Sequence, residues 1–444
     1  MSIVMKFGGT SVADAAAFEN VARVVAAERE SSPIVVVSAM SGVTDGLLSA
    51  TPSSLEAIFD RHLAVAKELQ ADQFAELVKR AEDQVRELLD AIAQTPSRRK
   101  ILQDAVVSFG EILSSALLAE VLNRHGIKAR QVDARRCIIT DDEHTSAAPL
   151  LTETFSRTEN ELRPLIEAGV VPVLGGFIGA TVDGATTTLG RGGSDYTAAL
   201  IGAALNAREI QIWTDVTGVL TADPRVVPEA QSIERLSYSE AAELAYFGAK
   251  VLHPKTIQPA IENSIPVRIC NSRAPHERGT LVGPDTETSL RTVKAIAHKT
   301  GVTTVQISSA RMLGAYGFLR ALFEVFDRHR TVVDVVTTSE VSVSLSLDDD
   351  SALPAIVKEL EQLGTVRVER GRAIICVVGE GLRGTPGIAA RVFSTISDIN
   401  VTLISQGASS INFTFAIEEE RVKEAVTRLH EAFFATKRHK RAQK

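Results

Sequence analysis

Apolar positions along the first 290 residues fall in two rhythms, short unbroken runs and helical stripes, and the two alternate. Ile3, Val4 and Met5, and the run "PIVVVSA" at 33–39, are apolar without a break, as strands buried on both faces are. Between them Phe18, Val21, Val24 and Val25 recur at helical spacing, which predicts strand, glycine loop, helix, strand. Two amphipathic helices follow. One covers 55–69, with Leu55, Ile58, Phe59, Ala66 and Leu69 in a stripe; the other covers 74–92, with Phe74, Leu77, Val78, Val85, Leu88, Leu89 and Ile92. "VVSFGEILSSALLAEVLNRHG" predicts a further helix closed by Gly126 as its C-cap. "VVPVLGGFIGA" and "EIQIWTDVTGVLTADPR" predict strands that run into glycine-rich or acidic loops. To about residue 290 this is the alternation of one α/β domain.

After "GTLVGPDTETSL" the rhythm changes and the chain repeats itself. The stretch from 303 lies over the stretch from 373 at a constant offset of 70, so that Val305 meets Ile375, Ile307 meets Val377, Gly317 meets Gly387, Phe323 meets Phe393 and Ser339 meets Ser409. Each copy predicts strand, glycine loop, helix, strand, turn, strand and a closing helix. A period this long suits two small βαββα modules, over 303–370 and 371–437, better than a solenoid.

Composition narrows the class. The chain has 444 residues, 45 % hydrophobic and 23 % charged, enough for two to four domains with sizeable cores. A net charge of −7 argues against nucleic acid as the main partner, and the basic 438–444 tail is expected to be solvated. Cys137, Cys270 and Cys376 are far apart, without pairing or metal spacing, as reduced thiols of a cytoplasmic protein are. No signal h-region opens the chain and no apolar run reaches membrane-spanning length, so no membrane role is expected.

The loops at the strand ends carry the candidate chemistry. In "MKFGGTS", Lys6 precedes Gly8 and Gly9, whose backbone can turn N–H groups toward an anion, and a following helix start adds positive charge. Neither the P-loop spacing nor the dinucleotide fingerprint is present. In "TTTLGRGGSDYTAAL", Arg191 beside a Gly-Gly turn suits bidentate capture of a carboxylate or phosphate, with Ser194 adjacent. Asp195 is either part of that site or a first-turn helix acid. "SAMSGVTD" repeats the strand, small-residue loop and helix. Glu111 in "SFGE" is either a solvated helix residue or a buried carboxylate that needs a cation, such as a substrate ammonium. "WTDVTGVLTADPR" carries Asp215, Asp223 and Arg225, and "YFGAKVLHPKTI" carries Lys250, His253 and Lys255. Glycine loops, cations and a few acids at the strand ends of one α/β sheet are the parts of a phosphoryl-transfer site. No Ser-His-Asp or Cys-His pairing and no metal-ligand spacing competes with that reading.

"KFGGTSV", "SAMSGVTD", "SFGE", "TTTLGRGGSDYTAALI", "WTDVTGVLTADPR" and "FGAKVLHPKTI", in this order, resemble aspartate kinase of the amino-acid-kinase superfamily, and the repeats resemble its tandem ACT domains. The resemblance spans essentially the whole chain. It implies an α/β fold, an amino-acid-kinase-type open sheet with helices on both faces over 1–290, followed by two ferredoxin-like ACT modules. The implied activity transfers the γ-phosphoryl of ATP to the β-carboxylate of L-aspartate, with Mg²⁺. Lys6 with the Gly8 and Gly9 amides would then meet the transferring phosphoryl group and Asp195 would orient it. Arg191 and Ser194 would hold the substrate α-carboxylate and Glu111 its ammonium, with Thr44 and Phe177 shaping the pocket. Thr214, Asp215, Arg225 and Lys250 fall on nucleotide-contacting positions. No metal ligand is implied. "RMLGAYGFL" and "VVDVVTTSEVSVSLSLD" resemble the lysine-inhibited monofunctional branch, in which paired ACT modules of a homodimer hold the effector. Met312, Phe318, Leu319, Val333, Asp334, Thr338, Ser339 and Glu340 would line that site. Threonine and S-adenosylmethionine are the other effectors the resemblance allows. A sister kinase acting on another carboxylate and a non-catalytic amino-acid sensor are the competing functions; loss of Lys6, Arg191 or Asp195 would mark the sensor, and all three are intact.

Overall fold

The structure is a computed structural model and describes every residue except 1, 52, 72, 249–251, 253, 285–291, 408 and 436–444. The chain forms two compact units. The first comprises Met1–Val219, Glu234–Tyr238 and Val251–Pro284; the second comprises Leu220–Ile233, Ser239–Lys250 and Asp285–Lys444. Two short segments before residue 290 therefore belong to the second unit, although their sequence continues the α/β alternation.

The first unit is built on an eight-stranded sheet. Its strands run in the order Ala129–Val132, Val171–Gly175, Pro33–Val37, Ile3–Phe7, Glu209–Thr214, Val267–Asn271, Thr280–Gly283 and Arg235–Ser237. The first six are parallel, and Thr280–Gly283 turns antiparallel to its neighbour. The unbroken apolar runs are the central strands, where Ile3, Val4, Met5 and Phe7 are wholly buried. Side chains alternate across the sheet. Ile3, Met5, Phe7, Val35 and Val37 join one core with Phe18 and Val21 of Ala15–Ala27, Phe59, Val78, and Leu113 and Leu117 of Arg99–Arg124. Lys6 alternates to the other face with Val4, the face toward the helix Gly193–Leu205, which packs on this strand.

Three local outcomes differ from the pattern. Ile3–Phe7 does not enter a helix directly: a 3-10 turn, Gly9–Val12, intervenes, and the helix Ala15–Ala27 begins only after Asp14. The Asp14 carboxylate accepts from the Ala17 N–H at 2.9 Å, so that helix start already has its anion. In addition, the helical stretch Pro96–Arg124 is long and apolar enough to cross a bilayer, where no such run was expected. Its apolar window is 72 % buried inside the fold, as in a core helix.

The second unit is a six-stranded antiparallel sheet in the order Val336–Thr338, Ser342–Leu347, Ala295–Ser308, Thr365–Val378, Asn412–Glu418 and Leu403–Gln406. The repeat is present, and the two 14-residue strands Ala295–Ser308 and Thr365–Val378 run through both modules. One core gathers Val305, Ile307, Leu322, Phe326, Leu345 and Ile356, with Val366 and Val368 packed against it; the other gathers Ile296, Ile375, Val377, Val392, Phe413, Phe415 and Leu429. The second module thus takes its outer strand from 295–299, ahead of the first module in the chain. Each module is βαββαβ, one β longer than the repeat alone predicts. Ala222 and Val227 join the second core, and Thr221 hydrogen-bonds His430 at 2.8 Å. Lys294 and Glu240 form a buried ion pair at 2.6 Å.

Candidate active site

A cavity of about 1070 Å³ opens in the first unit beyond the carboxyl ends of the parallel strands, where an open α/β sheet holds its ligands. Lys6, Gly8, Gly9, Thr44, Glu111, Phe177, Arg191, Ser194, Asp195, Thr214 and Asp215 all line it. The loops that carry them span some two hundred residues of sequence and meet because their strands are neighbours.

Lys6 reaches Asp195 at 2.7 Å, both side chains mostly sheltered, so Asp195 is more than a first-turn acid. The Gly8 N–H is not available to an anion: it donates to the Trp213 carbonyl at 3.1 Å. Positive backbone ends come instead from two other helix starts. Gly42 precedes Val43–Leu48 and Gly192 precedes Gly193–Leu205, both without a side-chain cap, and both line the cavity. Gly192 sits at φ +75°, a left-handed turn that delivers the chain from Arg191 into the helix.

Glu111 is 3 % exposed, which removes the solvated reading. Its Oε1 accepts from the Ala39 N–H at 3.1 Å, while its buried Oε2 has no partner. Burial pushes this carboxyl up to about 8. The wall behind it is glycine because nothing larger fits: a Cβ on Gly175 would lie 2.8 Å from the Glu111 Cβ, and one on Gly176 would lie 2.7 Å from Ser194. Ser194 in turn accepts from the Ser38 hydroxyl at 3.0 Å. Phe177 holds φ +67° with its N–H on the Thr197 hydroxyl at 3.0 Å, an unusual conformation for a bulky residue. Arg191 is exposed and makes no ion pair with a described residue, so its guanidinium is open to a ligand.

Asp104 was missed in the sequence. It is 1 % exposed and accepts from the Thr188 hydroxyl at 2.7 Å, the Thr145 N–H at 2.9 Å and His144 Nδ1 at 2.9 Å, tying the 144–145 loop and the strand Thr186–Thr188 to its helix at the cavity wall. The available signal was its position, seven residues before Glu111 on the same helix and hence on the same face.

Two nucleotide-site expectations, Arg225 and Lys250, are not among the described residues that line this cavity. Arg225 does not line this cavity: it belongs to the second unit, is exposed, and clasps Asp223 through two bonds at 2.7 and 3.0 Å. That clasp holds the Asp223 carboxyl below its usual range. Lys250 and His253 lie outside the described residues. Among the described residues no group of three or more His, Cys, Asp or Glu side chains could hold a metal ion. Cys137, Cys270 and Cys376 are free and buried, their thiols pushed up to about 12.

The residues expected to line an effector site lie in the first module of the second unit. Met312, Phe318 and Val333 pack against its core, Leu319 is exposed, and the Ser309 N–H donates to the Val341 carbonyl, which sets the 309–318 loop beside Thr338, Ser339 and Glu340. Asp334 lies two residues before the strand Val336–Thr338, its N–H on the Ser346 carbonyl. Its carboxylate accepts from the Tyr246 hydroxyl and lies 3.6 Å from Lys299. Burial, then the neighbouring Asp348, pushes that carboxyl up to about 7.

The amino acid kinase family profile matches residues 1–271, and an ACT domain profile matches 375–433. Aspartokinase 1 of Arabidopsis thaliana, a chloroplastic protein, is 40 % identical over 461 residues, covering 98 % of this chain and 80 % of that protein. The chain belongs to the aspartokinases. Its fold is theirs as well. The crystal structure of E. coli aspartokinase III with aspartate and ADP, an R-state, superposes with a TM-score of 0.82 at 37 % identity, covering 98 % of this chain and all of that one. The T-state of the same E. coli enzyme, with lysine and aspartate, gives the same TM-score and identity over 98 % and 99 % of the two chains.

Proposed function

We propose that the chain transfers the γ-phosphoryl of ATP to the β-carboxylate of L-aspartate, giving 4-phospho-L-aspartate, the first committed step toward lysine, threonine and methionine, in the cytoplasm. The observation that carries this reading is the buried, half-satisfied Glu111 within the cavity that also holds Lys6, Asp195 and Arg191. A cavity with an exposed guanidinium at one side and a carboxylate short of a partner at another suits the carboxylate and ammonium of an α-amino acid.

The attacking β-carboxylate needs no general base, because a carboxyl with an ordinary pKa near 4 is an anion at pH 7. The work is positional and electrostatic. Arg191, with Ser194 beside it, takes the α-carboxylate; Glu111 takes the ammonium; Thr44 and Phe177 bound the side chain. Lys6 neutralises charge on the transferring group and Asp195 holds the Lys6 ammonium in place. Gly9 and the uncapped starts at Gly42 and Gly192 supply backbone N–H groups for phosphate oxygens, a duty that the committed amide of Gly8 cannot share. Thr214 and Asp215 bound the nucleotide. The chain's described residues form no cage for Mg²⁺, so the ion is read as entering with the nucleotide, as MgATP, its ligands mainly phosphate and water.

The effector reading is lysine at Met312, Phe318, Leu319, Val333, Asp334, Thr338, Ser339 and Glu340. Leu313, Tyr316, Leu319 and Val332 are large, apolar and exposed on the same module, which supports pairing of two copies there. The test is hydroxylamine-trapped acyl phosphate on L-aspartate, with and without lysine, threonine and S-adenosylmethionine. Lys6→Ala should lower kcat by about 10²–10³-fold with the fold intact. Turnover equal to wild type in Lys6→Ala, or none on aspartate from folded wild-type protein, overturns the reading.

A further inference from the structure

The six-stranded sheet of the second unit has a face turned away from its helices, and that face holds a cavity of about 390 Å³. Strand alternation decides what lines it. Val305, Val343, Leu345, Val366 and Val368 point to the helix side, so Thr304, Gln306, Ser344, Arg367 and Glu369 point the other way. The register stacks them into one cluster, Gln306 opposite both Ser344 and Arg367, and Thr304 opposite Glu369. A register shift between Lys299 and Thr304 brings Arg372 into the same floor, and the 400–403 segment walls one side.

Arg372 is the group out of balance. Its Nη2 donates to Glu369 at 2.9 Å, and Glu418 lies 3.7 Å from Nη1. Its Nε and Nη1 are buried and have no hydrogen-bond partner. A guanidinium stays charged whatever its surroundings, so it cannot relieve this by losing a proton. Glu369 is shared with Arg367, and Glu418, the other carboxylate near Arg372, does not line the cavity and reaches Nη1 only at 3.7 Å. The remaining lining, hydroxyls, amides and the apolar Val305, Val401 and Leu403, brings no charge.

We propose that this cavity is a second small-ligand site in the regulatory unit, taking a carboxylate anion of amino-acid size on the N–H groups of Arg372 that lack a hydrogen-bond partner. The space suits such a molecule. Its floor is formed by the two long strands that both modules share, so a ligand there braces the two modules against each other. None of its lining residues belongs to the 312–340 set read as the lysine site.

The experiment is isothermal calorimetry on the full chain with succinate, glycine and L-threonine as carboxylate probes and inorganic phosphate as the other anion. At least one carboxylate probe should bind with a dissociation constant below about 1 mM, weakened at least tenfold in Arg372→Gln and several-fold in Gln306→Ala. Lysine binding should be unchanged in both variants, which separates this site from the one proposed for lysine. Circular dichroism checks each variant's fold; should Arg372→Gln not fold, Gln306→Ala decides alone. Binding of phosphate but no carboxylate overturns the ligand assignment. Carboxylate binding that neither variant weakens, or no binding at all, overturns the site.

Discussion

If Glu111 holds the ammonium of aspartate, substrate binding must release a proton. The empty pocket keeps this carboxyl neutral well above its ordinary 4.5, because burial raises it to about 8. At pH 7 about 0.9 of the sites are then protonated, and ionising Glu111 to receive an ammonium costs about 1.4 kcal/mol, rising to about 2.7 kcal/mol at pH 6. Apparent affinity for aspartate should therefore be about fivefold weaker at pH 7 than at pH 8, and about fiftyfold weaker at pH 6. Calorimetry at pH 7 in buffers of different ionisation enthalpy counts the proton directly: wild type should release close to one per aspartate bound, and Glu111→Gln none. The same residue sets a stability trend of known sign. Its folded pKa lies above its unfolded one, so its contribution is full below pH 4.5 and is lost as the pH climbs toward 8. Without substrate, Glu111→Gln should accordingly be more stable than wild type at pH 8, by a margin that disappears at pH 4.5. Aspartate binding with no proton release, or an equal release in Glu111→Gln, would refute the assignment of the ammonium to this carboxylate.

Arg191→Ala should raise KM for aspartate by about 10–100-fold and leave KM for ATP nearly unchanged, since it removes one charge-assisted carboxylate contact; steady-state kinetics in both substrates decides. Gly176→Ala forces a Cβ to within 2.7 Å of Ser194 and should lower activity by shifting the Arg191–Asp195 turn, while the thermal midpoint falls by only a few degrees; unchanged kcat and KM would refute the close fit. Lys294→Ala removes the ammonium that pairs with buried Glu240 and should destabilise the second unit by about 3–5 kcal/mol in denaturant unfolding, whereas the apolar pair Lys294→Met with Glu240→Leu should lose less.

Much of this protein was written locally. Unbroken apolar runs made the central strands, helical stripes made Leu55–Glu68 and Phe74–Gln94, and the offset of 70 announced two like modules, because each depends only on residues close in sequence. Eleven of the proposed active-site positions were named from short contiguous motifs, mostly at strand ends and helix starts, Thr44, Phe177 and Thr214 among them only through the family resemblance. Tertiary structure decided what those residues face. Glu111 could have been solvated until Ala39 and Gly175 closed over it. The Gly8 amide was free until Trp213, more than two hundred residues away, took it. Asp104 looked like any helix acid until Thr188, Thr145 and His144 converged on it. The second module's outer strand, 295–299, precedes the first module, an exchange invisible to a repeat read in chain order. Hydrophobic pattern states which face of an element is buried; only the pairing of strands and the meeting of loops states against what.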